Sequence, residues 1–195
     1  MIHTSHRFAK DWREWWFSLS LTSSRFKTST TLTVWNLFFV ICCLISTMRI
    51  EIQKLSPYHI DEFIELLDLF EEVFEIKNVQ APSRMYLEGL LEKEDFYVFV
   101  AVSEGKIVGG LTAYSLMQYY SETPLVYIYD IAVSKRFQNK GIGKKLILGI
   151  KDYCQETDVE EIFVHAIETD EHLLDFYRST GAQSQKVVHF YYPMG

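Results

Sequence analysis

Three cysteines in 195 residues leave this chain without a disulfide framework. Cys42 and Cys43 are adjacent and Cys154 lies far away, so neither paired bridges nor a metal-ligand spacing can be drawn from them. No metal is expected, and a reduced, cytoplasmic compartment is. Cys154 falls on a predicted helix, where a small core residue is expected rather than a nucleophile. Long apolar runs are missing too. The best candidate, Leu32 to Ile45, is broken by Thr33 and Asn36 and is shorter than the roughly 18–20 residues of a membrane-crossing helix. A membrane is therefore not an expected partner.

Positive charge is scarce where most of the chain lies. Residues 1–47 hold Arg7, Lys10, Arg13, Arg25 and Lys27 against Asp11 and Glu14, net +3, within a total of −7, so residues 48–195 carry net −10. An acidic body repels phosphate backbones and attracts cations, which excludes nucleic acid and favours a basic small-molecule amine. Any single carboxylate is otherwise an ordinary solvated one. The oligomeric state is not fixed, and a homodimer is allowed.

What is present suits one folded domain: 48% of residues are hydrophobic and 23% charged. Fourteen Phe and twelve Tyr promise a core or cleft rich in rings. The chain divides into 1–47 and 48–195. The first part stays open between an extension from an upstream start, a weak membrane anchor and a cleaved signal, although Ser46-Thr47-Met48 offers no good cleavage site. Met48-Arg49-Ile50-Glu51-Ile52 then looks like a fresh start leading into a strand.

The spacing after it predicts strand, helix, helix, three strands, helix, strand, helix, strand. Ile50 and Ile52 alternate with polar neighbours over Arg49–Leu55. Ser56-Pro57 is expected to cap a helix whose apolar residues run from Ile60 to Phe74, and Pro82-Ser83 opens a shorter one. Phe96–Val102 and Ile107–Leu116 form a hairpin about Glu104-Gly105, and Leu125–Val133 is the next strand. A helix follows Gly141 and ends near Thr157. Ile162–Ile167 is a strand, Leu173–Tyr177 lies on a helix stopped by Gly181, and Val187–Tyr192 closes the chain as a strand. His165 and His189 are expected to pack within these last strands. The order reads as a mixed α/β sheet.

The chemistry concentrates in Gln138-Asn139-Lys140-Gly141-Ile142-Gly143-Lys144, between Ile131-Ala132-Val133 and a helix. Successive backbone N–H groups at a helix start, aided by the helix dipole, cradle an anion. Glycines there let a pyrophosphate approach the backbone. Lys135, Arg136, Lys140, Lys144 and Lys145 gather positive charge inside an acidic domain. The loop is neither a P-loop nor a dinucleotide fingerprint. A bare glycine pair is a weak signal, because it also fits an ordinary helix entry.

Asp130-Ile131-Ala132-Val133, the Gln138-x-x-Gly141-x-Gly143 loop and Phe176-Tyr177-x-x-x-Gly181 together resemble the GNAT superfamily of N-acetyltransferases, over residues 49–192. Tyr127-Ile128-Tyr129-Asp130-Ile131-Ala132-Val133 and the Leu69-Phe70 helix look most like the aminoglycoside 3-N-acetyltransferases of the gentamicin type. The resemblance implies an α/β (α+β) fold with a mixed, mostly antiparallel sheet splayed at an acetyl-CoA site and helices on both faces. It implies that backbone groups of Ile131, Ala132 and Val133 hold the pantetheine arm and that amides of Gln138, Asn139, Lys140, Gly141, Ile142, Gly143 and Lys144 hold the pyrophosphate. Gln138 departs from the pattern, whose first position is often Arg; nearby lysines offset the lost charge.

Acetyl transfer to an amine needs a base for the ammonium proton and an acid for the leaving thiolate. Asp130 is the base candidate, or else a structural acceptor in the sheet. Tyr177 is the acid candidate, placed near the thioester sulfur by the resemblance, or else a packed ring. Tyr119 and Tyr120, with Glu168 and Asp170, are expected to flank the acceptor, rings over a sugar or polyamine and carboxylates on its ammonium groups. The expected function is N-acetylation of an aminoglycoside, conferring antibiotic resistance. Acetylation of a polyamine, another metabolite amine or a protein amine is the alternative enzyme, and a non-catalytic coenzyme A sensor the alternative of another class.

Overall fold

The computed structural model describes residues 49–76 and 81–194, and the expectations for 1–47 lie outside them. By its contacts the chain separates after Thr47, and Met48–Gly195 forms a unit of its own. Among the described residues, five strands pair in chain order: β1 Ile50–Lys54, β2 Phe96–Ser103, β3 Lys106–Leu116, β4 Leu125–Val133 and β5 Glu161–Val164. The first four are antiparallel neighbours, and β5 lies parallel to β4. Among the described residues, helices α1 Ile60–Phe74, α2 Arg84–Leu91, α3 Ile142–Glu156 and α4 Glu171–Ser179 cover the sheet on both faces. None is long and apolar enough to cross a membrane.

The central hairpin is buried from both sides, which explains its dense β-branched and aromatic run. Tyr97, Phe99 and Ala101 of β2 face α3, where they meet Leu146, Ile150 and Cys154. Phe96, Val98 and Val100 face α1 and α2, against Phe63, Leu66 and Leu87. Alternate side chains of a strand point to opposite faces, so only a strand covered on both sides shows no polar alternation. Cys154 is 3% exposed, and burial pushes its thiol up to about 11, so it sits in the core as a protonated, inert group.

Three expectations shift. Helix α1 begins at Ile60 rather than after Ser56, because Ser56 and Pro57 belong to a turn: Ser56 O accepts from His59 N (2.9 Å), and the Ser56 hydroxyl pairs with His59 Nδ1 (2.8 Å). Strand β5 stops at Val164 instead of Ile167, because Ile167 O accepts from Asp170 N (3.0 Å) in the turn that starts α4. Val187–Tyr192 forms no strand and lies exposed. Consequently His165 and His189 are not packed within strands: both are exposed, their rings 5.9 Å apart.

Gly109 and Gly110 in β3 mark close approaches of the neighbouring strands and of α1. A Cβ on Gly109 would come within 2.8 Å of Ala132 O, and one on Gly110 within 2.6 Å of Leu66 Cδ1 and 2.7 Å of Phe99 O. Leu66 is fully buried and Phe99 O is backbone, so neither can yield. Gly110→Ala is expected to destabilise the fold by about 1–3 kcal/mol through overpacking, measured as a lower denaturation midpoint at unchanged slope.

Candidate functional site

Strand β4 carries the site because it changes partners and twist halfway along. On one side it pairs with β3, where Thr112 opposes Asp130 and Ala113 opposes Ile128, so that Tyr129 is an extra residue, a β-bulge. On the other it pairs with β5 only from Leu125 to Ile128, and from Tyr129 onward its edge is free. Bulges bend a strand and re-aim its side chains. Ile128 and Ile131 both pack on the α3 side, three apart rather than two, which turns Tyr129 and Asp130 together towards the opposite face.

That face is paved with rings. Tyr114 stands edge-on to Tyr129 (5.8 Å between centroids), Tyr129 to Tyr127 (6.0 Å), and Tyr127 stacks on Phe163 (5.1 Å). Half-buried Asp130 lies beside Tyr114 and Tyr127, and burial raises its carboxyl above the usual carboxylate range. A carboxylate with few water contacts over an aromatic floor is suited to an ammonium group.

On the other side of the parting lies a groove. After Val133 the chain makes a short 3₁₀ turn, Lys135–Phe137, passes through Asn139 (φ 59°) and Gly141 (φ 77°), and enters α3. Gly141 caps that helix without a side chain. Lys145 N is the donor that returns to Gly141 O (3.1 Å), leaving the amides of Ile142, Gly143 and Lys144 at an open helix start. A cavity of about 590 Å³ opens there, lined by Ile131, Ala132, Val133, Gln138, Asn139, Gly141, Ile142, Gly143 and Lys144 of the expected cofactor set, together with Asp170, His172, Leu173 and Phe176. Lys140 is not in its lining and sits over the Phe137 ring (5.0 Å).

The two glycines have different physical reasons. Nothing lies within 4 Å of a Cβ on Gly141, so its requirement is the left-handed backbone, together with the space such an absence leaves. A Cβ on Gly143 would meet the Phe176 ring at 3.0 Å, so that glycine lets α4 close over α3. Some of the local charge is engaged. Lys135 pairs with Glu75 (3.3 Å), Lys144 Nζ donates to Ser179 O (3.0 Å), and Gln138 Nε2 donates to Val133 O (3.0 Å), which ties the loop to the end of β4.

Tyr177 lies apart from that cavity, in a neighbouring one of about 290 Å³ that it shares with Ile128 and Val164, the last paired residues of β4 and β5. It is 9% exposed, and burial, with a smaller effect of Tyr127, pushes its phenol up to about 12. The group therefore holds its proton throughout the physiological range.

The expected acceptor-side residues are spread out. Tyr119 and Tyr120 are 97% and 71% exposed, their rings edge-on at 4.9 Å. Their loop is fastened to the start of β5, with Gln118 Nε2 and Thr123 Oγ1 both donating to Glu160 (2.8 and 3.0 Å), which holds that carboxyl below its usual range. Glu168 pairs with Lys186 (3.3 Å), and Asp170 caps α4 by accepting from Leu173 N (3.0 Å). Sequence reasoning missed Tyr114, Tyr127 and Phe163 as a floor. The Tyr127-x-Tyr129 spacing hinted at it, but the bulge that adds Asp130 to the same face leaves no mark in the sequence.

Residues 62–182 match the model of the acetyltransferase (GNAT) family. Among solved structures, the aminoglycoside acetyltransferase meta-AAC0020 from an uncultured soil metagenomic sample, described in complex with sisomicin and with trehalose, is 50% identical, with 75% of this chain and 97% of that one covered and a TM-score of 0.73. The aminoglycoside acetyltransferase HMB0005, also from an uncultured soil metagenomic sample, is 32% identical over 76% of this chain and 100% of that one, with a TM-score of 0.72. On the matched domain and these relatives together, the chain belongs to the GNAT family of acetyltransferases.

Proposed function

We propose that this enzyme moves the acetyl group of acetyl-CoA to a primary amine of an aminoglycoside, at the 3-amino position, in the cytoplasm. The observation that carries the proposal is the junction at the parting of β4 from β5. A groove with an open helix start lies on one side, and a half-buried carboxylate on a floor of rings lies on the other. Two relatives named as aminoglycoside acetyltransferases favour that acceptor class over other amines.

The groove fits a phosphate-bearing chain, because a Cβ-free Gly141 leaves room over the amides of Ile142, Gly143 and Lys144. The free edge of Tyr129–Val133, apart from Val133 O, which Gln138 Nε2 occupies, then offers N–H and C=O groups to an extended amide-bearing arm, as a strand edge offers them to another strand. Acetyl-CoA supplies the activated acyl group and a thiolate leaving group. Asp130 accepts one proton of the acceptor ammonium, the freed nitrogen forms its bond to the acyl carbon, and the carbon–sulfur bond breaks as Tyr177 protonates the sulfur; the nitrogen then loses its second proton through solvent, which restores the Tyr177 phenol. Tyr119, Tyr120, Glu168 and Asp170 are proposed to flank the acceptor.

Thiol release from acetyl-CoA across aminoglycosides, polyamines and peptide amines tests the function, with the acetylated nitrogen identified by NMR. Turnover with sisomicin or its kin is expected. Turnover confined to polyamines or peptides would replace the acceptor, and cofactor binding without turnover would make the protein a sensor. Tyr177→Phe is expected to lower kcat by about 10²–10⁴-fold, the usual span for a lost general acid, while acetyl-CoA binding stays nearly unchanged. An equal loss in both would reassign Tyr177 to packing.

Asp130→Asn is expected to lower kcat/KM by a similar factor and to abolish the acid limb of the pH–rate profile, which should lie above the ordinary carboxylate pKa because burial raises Asp130. The folded pKa lies above the unfolded one, so the stabilisation from this group is present at low pH and is lost as pH rises through the folded value. At neutral pH the Asn variant should therefore be at least as stable as the parent by thermal melting, separating loss of function from loss of fold.

A further inference from the structure

The ring floor beside Asp130 does not stop at Phe163. It continues from Tyr127 to His165 (5.1 Å), from His165 to His189 (5.9 Å) and from His189 to a nearly parallel Tyr191 (6.4 Å, 18°), leaving the sheet for the C-terminal segment. We propose that His189 and Tyr191 are specificity-determining residues that form the outer end of the acceptor site and hold the sugar ring farthest from the reacting amine. This rests on the aminoglycoside reading above and extends it to residues on a segment without secondary structure.

Two contacts fix how that segment runs. His189 lies against His165, and Lys186 pairs with Glu168 at 3.3 Å. Three residues forward along the chain that follows β5 correspond to three residues back along the segment, the register of an antiparallel neighbour. Alternation in such a neighbour puts His189 and Tyr191 on one side, as their stacking records, and Val188, Phe190 and Tyr192 on the other. The first set stays on the face that carries Asp130.

The span supports a multi-ring ligand. From Tyr129, next to Asp130, the path to Tyr191 takes four ring-to-ring steps of 6.0, 5.1, 5.9 and 6.4 Å. A single amine-bearing ring over Asp130 is no longer than one such step, so contact with His189 or Tyr191 requires further rings of the acceptor. Flat ring faces suit both the apolar face of a sugar and the ammonium groups it carries. Polyamines, thin and without a face to stack, gain little from the outer rings.

Steady-state kinetics of the full chain and of His189→Ala, Tyr191→Ala and the double variant, with sisomicin and with a two-ring aminoglycoside, test the proposal. The expected result is a rise of about tenfold in KM for sisomicin in the double variant, with kcat and the KM for acetyl-CoA unchanged and a much smaller change for the two-ring acceptor. Tyr191→Phe should restore most of the lost affinity, because it keeps the ring. An unchanged KM for sisomicin overturns the proposal, as does a parallel rise for both acceptors and acetyl-CoA, which would mark the segment as merely structural. If the parent chain acetylates no aminoglycoside, the acceptor reading falls and takes this one with it. If the parent is active and the variants match it, this inference alone falls.

Discussion

The parting of β4 from β5 after Ile128 is the constraint from which the rest of the site follows. Four residues of each strand pair, and then β4 continues alone while β5 turns away towards α4. A strand edge left unpaired inside a fold is a standing cost, since its N–H and C=O groups lack partners. Here that edge becomes the wall of a groove, and the helix that follows it points an uncapped N-terminus into the same space. The backbone thus presents both an extended edge and an open helix start to one groove, the two surfaces proposed for the cofactor's arm and its phosphates.

The bulge at Tyr129 adds the second half. In an unbroken strand Asp130 would share a face with Ile128, on the α3 side. The extra residue places it among the tyrosines, where burial raises its pKa and the rings screen it from water. The same irregularity that bends the strand away from β5 therefore sets Asp130, the proposed base, on the face of the rings. The two pinched glycines of β3 belong to this arrangement, because a Cβ on Gly109 would strike Ala132 O on the far half of β4 and force the strands apart.

Charge is distributed to match. The body is strongly acidic, while lysines crowd the groove end, so a polyanion and a polycation can approach one molecule from opposite faces of the parted strands. Two of those lysines, Lys135 and Lys144, are held by Glu75 and Ser179 O, and they lend field rather than direct contacts.

Local pattern in the sequence was enough for the hairpin, the helix after Gly141, the glycine-bearing turn before it and the family, because each rests on residue types at fixed spacing: β-branched runs for strands, glycine for a positive φ, apolar residues at three and four for helices. It could not locate the start of α1, since whether Ser56 caps a helix or pairs with His59 depends on where the following turn settles. Nor could it decide the fate of Val187–Tyr192, whose strand-like alternation is real but which pairs with no strand among the described residues. The separate reasons for Gly141 and Gly143, the ring floor that gathers Tyr114, Tyr127 and Phe163, and the side of the sheet on which Asp130 emerges all depend on register between distant strands. A single inserted residue reverses that register, so only the tertiary structure decides them.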